Sequence, residues 1–149
     1  MKIKYLVAIT LLCIVFSCSK DNNGQLTLKV KSVSSDIVGP GQDLQVDFSF
    51  TEKGHVIDSI TMIKVRINQD QLETIRDTLS YGVPAYPKSS KGELQLLLDY
   101  DFDLTSAVNP PPIDTVHFES DTLILKFVAH DVANNHSDTP IAGPIVILR

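Results

Sequence analysis

Hydrophobic and polar residues alternate with a period of two along much of this chain. The clearest case is the run from Leu44 to Thr51, in which every second residue is a large apolar one. A longer run, from Leu94 to Leu104, repeats the pattern against glutamate, glutamine and aspartate. Because successive side chains of a β-strand point to opposite faces, both runs are predicted to be strands with one buried and one solvated face. The second run is long enough to cross a whole sheet.

The alternation changes phase between Ile60 and Asn68. In the second half of this stretch three apolar residues fall on the predicted buried face and three polar residues on the solvated face: Ile63, Val65 and Ile67 against Lys64, Arg66 and Asn68. Ile60 and Met62 are out of phase with that apolar set. The change of phase predicts a β-bulge near Met62, since an extra residue in one strand reverses the facing of the residues after it.

Other stretches add further strands. Residues 26–31 alternate and predict an opening strand, whereas residues 122–129 and 144–148 are apolar on both faces, as is typical of central strands or strands covered by a neighbour. Residues 71–80 fit either a strand or a short helix, and their threonine and serine content favours the strand.

Turn residues separate these strands at regular intervals, and no stretch has a strong helical period. The pattern predicts one all-β domain, residues 26–149, folded as an antiparallel sandwich of about seven strands. A lipocalin-like barrel is the alternative. Its short hairpins fit poorly with the proline-rich connection between Val108 and Ser120, which is predicted to cross the surface in an extended form.

The N-terminal residues have the layout of an export signal. Lys2 and Lys4 precede an apolar stretch, residues 5–16, and the small residue Ser17 stands before Cys18. This apolar stretch is shorter than the ~20 residues that a transmembrane helix needs, so it is predicted to be a leader. Its end resembles the lipid-attachment box of bacterial lipoproteins. The resemblance implies that Cys18 carries the lipid and becomes the first residue of the mature chain.

The predicted organisation is therefore a lipoprotein signal peptide at residues 1–17, the lipidated cysteine with a polar, flexible tether at residues 18–25, and the β-domain. Because a single acyl chain binds a bilayer only marginally, a lasting anchor needs two or more chains. An ordinary signal peptide followed by a coincidental cysteine is the alternative. The anchor predicts a location in the cell envelope at the outer membrane, on either its surface or its periplasmic side.

Charge and cysteine content exclude several classes of function. Loss of Lys2 and Lys4 with the leader changes the formal net charge from −5 to −7, and an acidic chain with scattered basic residues is a poor nucleic-acid binder. The two cysteines are Cys13, which leaves with the leader, and the lipidated Cys18. No thiol is then available for a disulfide, a nucleophile or a cysteine-based metal site.

The last third of the chain carries a resemblance to a family of domains. The run 123–135, LILKFVAHDVANN, is similar to the penultimate strand and following turn of bacterial immunoglobulin-like domains, and residues 38–44 and 57–60 resemble their front half. The resemblance is to small lipid-anchored proteins of unknown function of the Bacteroidota type, and it implies an immunoglobulin-like sandwich without an assigned activity. In two places the sequence departs from the pattern: Leu123 replaces the corner tyrosine, and Asn134 replaces the turn glycine. Asparagine is tolerated there because it adopts the left-handed backbone conformation more readily than most residues.

Tyr81 and Tyr86, in a loop stiffened by prolines, are the candidate ligand-binding residues. Their rings could be presented to a sugar or a peptide, and a stiff loop loses little entropy on binding. The alternative is that the rings fold over the edge of the sandwich as a lid on the core.

Two groups of oxygen-bearing residues are weak candidates for a calcium site. Asp131, Asn134 and Asp138 crowd into one turn, but their spacing matches no EF-hand loop, and hydrogen bonding within the turn is the alternative. Asp99, Asp101 and Asp103 would project from one face of the long predicted strand; the simpler interpretation is a solvated strand face. No metal or other cofactor is predicted apart from the covalent lipid.

The sequence holds no G-x-S-x-G turn, no H-E-x-x-H helix and no glycine-rich phosphate loop. We therefore expect a non-catalytic, lipid-anchored module that binds a glycan or a protein in the envelope. A structural subunit that pairs through an exposed strand edge is the alternative, and a small hydrolase is a third hypothesis.

Overall fold

The computed structural model describes residues 26–52, 54–68, 74–87 and 91–149, which are mostly strand with almost no helix. The predicted leader, Cys18 and the tether lie outside the described residues. The strands are β1 (Thr27–Val33), β2 (Ile37–Val38), β3 (Leu44–Thr51), β4 (Ile57–Arg66), β5 (Thr74–Gly82), β6 (Lys91–Leu98), β7 (Asp121–Asp131) and β8 (Ile141–Ile147). The all-β class is confirmed. Eight strands replace the predicted seven or so, and one of the eight, β2, has only two residues.

The strands form two sheets. One has three strands in the order β1-β3-β6, and the other has five in the order β2-β8-β7-β4-β5. All neighbouring pairs are antiparallel except the short parallel pair of β2 and β8. The described strands thus lie in two separate sheets and not in the single ring of the barrel alternative. The two stretches that are apolar on both faces form β7 and β8, and both are central strands. β7 lies between β4 and β8, and β8 lies between β7 and β2.

One hydrophobic core lies between the inner faces of the two sheets. The four apolar residues of β3 are buried as the alternation predicts, and so are alternate residues of β7. Phe48 of β3 meets Phe127 of β7 edge to face, with 4.9 Å between ring centroids. Burial of each such side chain contributes about 1.5–3 kcal/mol, so these alternating faces are the main source of the fold's stability.

The long strand predicted from Leu94 to Leu104 is wrong beyond Leu98. There the chain turns into a single π-helical turn, Tyr100–Leu104. Oδ1 of Asp99 accepts hydrogen bonds from the amides of Asp101 and Phe102, both at 2.8 Å. Aspartate favours such local bonds over a strand ladder, so the strand ends here. The three aspartates consequently do not line one strand face.

The predicted facing of β4 is wrong for Lys64 and Arg66, which point inward and are 1% and 3% exposed, although Val65 is buried as predicted. Ile60 and Met62 share that buried face, and the register shift against β5 lies between Lys64 and Val65 and not near Met62. Nζ of Lys64 donates to the carbonyls of Asp103 and Thr105 at 2.8 and 2.9 Å. These carbonyls, together with the carboxylate of Asp77 at 2.9 Å, make the buried ammonium tolerable.

Arg66 is held by a buried carboxylate and by the connection between β6 and β7. Its Nε and Nη2 both donate to Asp121, which is fully buried. Its Nη2 and Nη1 donate to the carbonyls of Val108 and Asn109 at 2.6 and 3.1 Å. Arg149 reaches the second oxygen of Asp121 at 2.9 Å. The proline-rich connection is therefore tied to the ends of β4 and β7.

Two local predictions are settled by the backbone. Residues 74–82 form β5, so the strand and not the helix is present there; residues 69–73 lie outside the described residues. Asn134 has φ of 63°, which confirms the left-handed conformation expected of the residue in the glycine position.

Asp121→Asn should lower the free energy of unfolding by about 3–5 kcal/mol, because it leaves the buried guanidinium of Arg66 without its counter-charge. Urea denaturation followed by circular dichroism measures the change. Glu93→Gln is the matched control, since its ion pair with Lys31 is exposed and should be worth less than about 1 kcal/mol. Equal losses in the two variants would contradict the assigned role of Asp121.

Candidate ligand-binding site

The hydroxyl of Tyr86 fastens the segment after β5 to the start of β4. It accepts a hydrogen bond from the amide of Ile57 at 2.9 Å and donates to Oε2 of Glu52 at 3.1 Å. Burial raises the pKa of Tyr86, and the neighbouring carboxylate of Glu52 adds to the effect, against the opposing influence of the Ile57 amide. The phenol therefore stays protonated at neutral pH and keeps both bonds.

Glu52 is 2% exposed and immediately follows β3. Its Oε1 is the one buried side-chain polar atom in the described ranges that has no hydrogen-bond partner. A buried carboxylate oxygen without a donor costs free energy, and among the described residues Tyr86 supplies the one side-chain hydrogen bond to Glu52, at its other oxygen. The pair couples the end of β3 to residues 83–86.

A cleft of about 410 Å³ lies between residues 83–86 and the first half of β6. Its walls are largely apolar, with Val83 and Tyr86 on one side and Phe50 and Leu94 beneath. The rings of Tyr86 and Phe50 are tilted against each other at 5.7 Å between centroids. Glu93, Gln95 and Lys91 supply polar groups at its rim. A concave apolar surface with a few polar groups is the usual form of a binding site.

Gly92 makes this floor possible. A Cβ atom built on Gly92 would lie 2.5 Å from two ring atoms of Phe50, which is closer than real Cβ contacts come. Phe50 is paired with Gly92 in the β3–β6 register, and its ring therefore packs directly on the backbone of β6. Any larger residue at position 92 would displace the ring that forms the floor of the cleft.

The structure does not bring the two candidate tyrosines into one site. Tyr86 lines the cleft, whereas Tyr81 lies on β5 and donates its hydroxyl to Oδ1 of Asp103 at 2.8 Å. Burial raises the pKa of Tyr81, and the hydrogen bond to Asp103 raises it further. Both rings are half-buried against the core, which agrees with the alternative that they cover its edge.

Two of the three candidate calcium ligands, Asp131 and Asp138, accept hydrogen bonds from the chain itself. Oδ1 of Asp131 accepts from the amides of Ala133 and Asn135 at 2.9 and 2.8 Å, and Oδ1 of Asp138 accepts from the amide of Leu28 at 3.0 Å. Although burial acts to raise it, the pKa of Asp131 is lowered by these bonds and by the side chain of Asn135. Within residues 26–52, 54–68, 74–87 and 91–149, no three histidine, cysteine or acidic side chains are grouped to hold a metal ion.

Sequence reasoning found Tyr86 but missed the rest of the cleft. The alternation predicts Phe50 and Leu94 only as strand residues, because it identifies a buried face but not the gap beside a strand at a sheet edge. Gly92 and Glu52 lie outside the predicted alternating runs. The available signal was the glycine at the start of the alternating run of β6, which often marks a close backbone approach.

This chain shares little sequence identity with the solved structures that it resembles. No family model and no curated protein matches it. Among solved structures, a superoxide reductase (neelaredoxin) from Ignicoccus hospitalis is 14% identical over 88% of this chain and 87% of its own, with a TM-score of 0.39. The sporulation control protein Spo0M from Bacillus subtilis is 14% identical over 85% and 50%, with a TM-score of 0.39.

A β-glucosidase from Listeria innocua, solved with glucose, is 9% identical over 83% of this chain but only 16% of its own length, with a TM-score of 0.34. Likenesses this distant carry no argument about activity, so the site has to be interpreted from its own residues. Within the part of the chain that the structure describes, no helix is long and apolar enough to pass through a bilayer.

Tyr86→Phe should lower the free energy of unfolding by about 1–3 kcal/mol and speed amide exchange at Ile57 and at residues 83–86. It removes the acceptor of a buried amide and the donor to Glu52. Hydrogen exchange followed by mass spectrometry or NMR measures the change. Tyr81→Phe is the matched control: it deletes one tyrosine hydroxyl bond but should leave exchange at residues 83–86 unchanged. Similar exchange in wild type and Tyr86→Phe would contradict the assigned fastening.

Proposed function

We propose that this protein is a lipid-anchored, non-catalytic binding module of the cell envelope, built as an immunoglobulin-like sandwich that receives its ligand in the cleft beside Tyr86. The observation that carries the proposal is the cleft itself. One wall of the cleft is the proline-stiffened segment 83–86, which Tyr86 fastens to the amide of Ile57. Phe50, packed on Gly92, forms the floor. This arrangement can bind, since its walls are held before a ligand arrives.

The strand order supports the immunoglobulin-like part of the proposal. In such sandwiches the first, second and fifth long strands share one sheet, and the third, sixth and seventh share the other. Here the first sheet is β1-β3-β6, and β8-β7-β4 with the added edge strand β5 make up most of the second. The short parallel pairing of β2 with β8 extends the second sheet by one strand.

The cleft lies at the end of the domain where the chain leaves the tether. Thr27 of β1 is opposite Thr51 of β3, and Gly92 of β6 is opposite the neighbouring Phe50. An eight-residue tether at residues 18–25 spans at most about 28 Å. A lipid on Cys18 would therefore hold the cleft near the membrane surface, where the effective concentration of a membrane-bound partner is high.

The anchor is tested by expressing the full chain in a bacterium that processes lipoproteins. We expect wild type to incorporate labelled palmitate and to enter the detergent phase, and Cys18→Ser to do neither. Cys13→Ser is the matched control, because this cysteine lies in the leader and its loss should leave labelling intact. If wild type and Cys18→Ser both remain in the aqueous phase, the envelope anchor is wrong.

The cleft is tested by adding bulk to its wall. Ala85→Arg should reduce binding of glycans on an array, or of peptides from a displayed library, by about tenfold or more, because a long charged side chain occupies an apolar cleft. Thr139→Arg is the control, since it adds the same side chain at an exposed position that does not line the cleft. Equal binding by the two variants would show that ligands attach elsewhere.

A further inference from the structure

The hydrogen-bonding direction along β6 follows from its neighbours. The amide of Ser34, after β1, donates to the carbonyl of Gln45 at 2.9 Å, so the main-chain groups of Gln45 face β1. Alternate residues of an antiparallel strand face opposite neighbours, and Val46 therefore faces β6. Val46 is paired with Leu96, whose groups face back to β3. The amides and carbonyls of Glu93, Gln95 and Leu97 consequently point away from the sheet.

These outward groups form an open edge about 14 Å long at a strand rise of ~3.4 Å per residue. Within the described residues, β3 is the only strand paired with β6. The side chain of Leu97 is 58% exposed on the same edge. Three residues thus present amides and carbonyls with the spacing that an added strand satisfies.

Among the sheet edges in the described residues, β6 is the least interrupted. β1 carries a register shift between Val30 and Ser32 and exposes Lys29 and Lys31, while β2 has only two residues. Bulges, lysines and short length are the usual means of preventing edge pairing. β5 is interrupted by a register shift against β4. The register of β6 against β3 is continuous over all eight residues, so β6 is a regular edge.

The cleft gives a strand lying on this edge two different faces. Side chains on one face would meet Phe50, Leu94 and Tyr86, and those on the other would meet solvent beside Glu93 and Gln95. An extended polypeptide that alternates apolar and polar residues matches this environment.

Charge favours one orientation. Beyond Leu98 the chain carries Asp99, Asp101 and Asp103. The carboxylates of Asp99 and Asp103 accept hydrogen bonds from the chain itself, whereas Asp101 is exposed. A basic residue near one end of the added segment would lie beside them and be stabilised. The match is thus to an alternating segment with a lysine or arginine at the end next to the π-helical turn.

From this edge, cleft and charge we propose that the ligand is an extended polypeptide segment that adds to β6 as a fourth strand of the smaller sheet. The inference rests on the proposed binding function and names its partner class. Main-chain hydrogen bonds to Glu93, Gln95 and Leu97 supply the affinity, and the cleft selects apolar side chains at alternate positions.

The test uses the mature chain carrying Cys18→Ser and a phage-displayed library of random dodecapeptides. We expect selected peptides to alternate in polarity and to protect the amides of Glu93, Gln95 and Leu97 from exchange. The amides of Leu94 and Leu96, already bonded to β3, should change little. Gln95→Pro should weaken binding about tenfold or more, because it removes an outward N–H without breaking the β3 ladder. Gln95→Thr keeps the N–H and should weaken binding much less than Gln95→Pro does.

Denaturation of each variant verifies that the fold is retained. The inference is wrong if selected peptides bind Gln95→Pro as tightly as wild type, or if they leave the three outward amides unprotected. It is also wrong if no peptide is selected. If the protein instead self-associates and the same amides become protected, the strand that adds to β6 comes from a second copy, and the peptide inference is wrong. If the protein binds glycans but no peptides, and Ala85→Arg abolishes the glycan binding, strand addition is wrong while the proposed binding function is supported.

Discussion

The fold depends on how β4 satisfies the two cations that its alternation turns inward. An isolated ammonium or guanidinium in a core is too costly to retain, so each must be met by acceptors from elsewhere in the chain. Lys64 takes the carbonyls of Asp103 and Thr105, and Arg66 takes Asp121 with the carbonyls of Val108 and Asn109. The connection between β6 and β7 is therefore a structural part of the domain. Its carbonyls stabilise the two buried cations by accepting hydrogen bonds, whereas hydrophobic packing stabilises the apolar strand faces.

The same contacts explain which parts of the fold the sequence could predict. Where every inward residue is apolar, as in β3, polarity alone gives the strand and its buried face. In β4 the inward residues include a lysine and an arginine, and a rule that places charges in solvent selects the opposite face. The acceptors that reverse this choice lie about 40 to 55 residues away along the chain. Local patterning has no access to such partners.

The end of β6 was unpredictable for a different reason. Alternation continues through Tyr100, Phe102 and Leu104, but Asp99 binds two amides ahead of it and closes a helical turn. Tyr100 and Leu104 stay buried while Phe102 is 85% exposed, so the turn keeps two of the three apolar residues in the core. Both a strand and a single turn can bury residues four apart. Only the capping aspartate distinguishes them, and its preference for local amides is the physical signal.

The candidate site combines walls of unequal stability. The β6 wall belongs to a continuous ladder with β3, whereas residues 83–86 are fastened chiefly by the hydroxyl of Tyr86 and by the amide of Val83, which donates to the carbonyl of Asp58 at 2.7 Å. Segments held by few hydrogen bonds open at a lower free energy than the sheet they border. The fastening also involves Glu52 at the end of β3, whose Oε1 is the one buried side-chain polar atom in the described ranges without a hydrogen-bond partner.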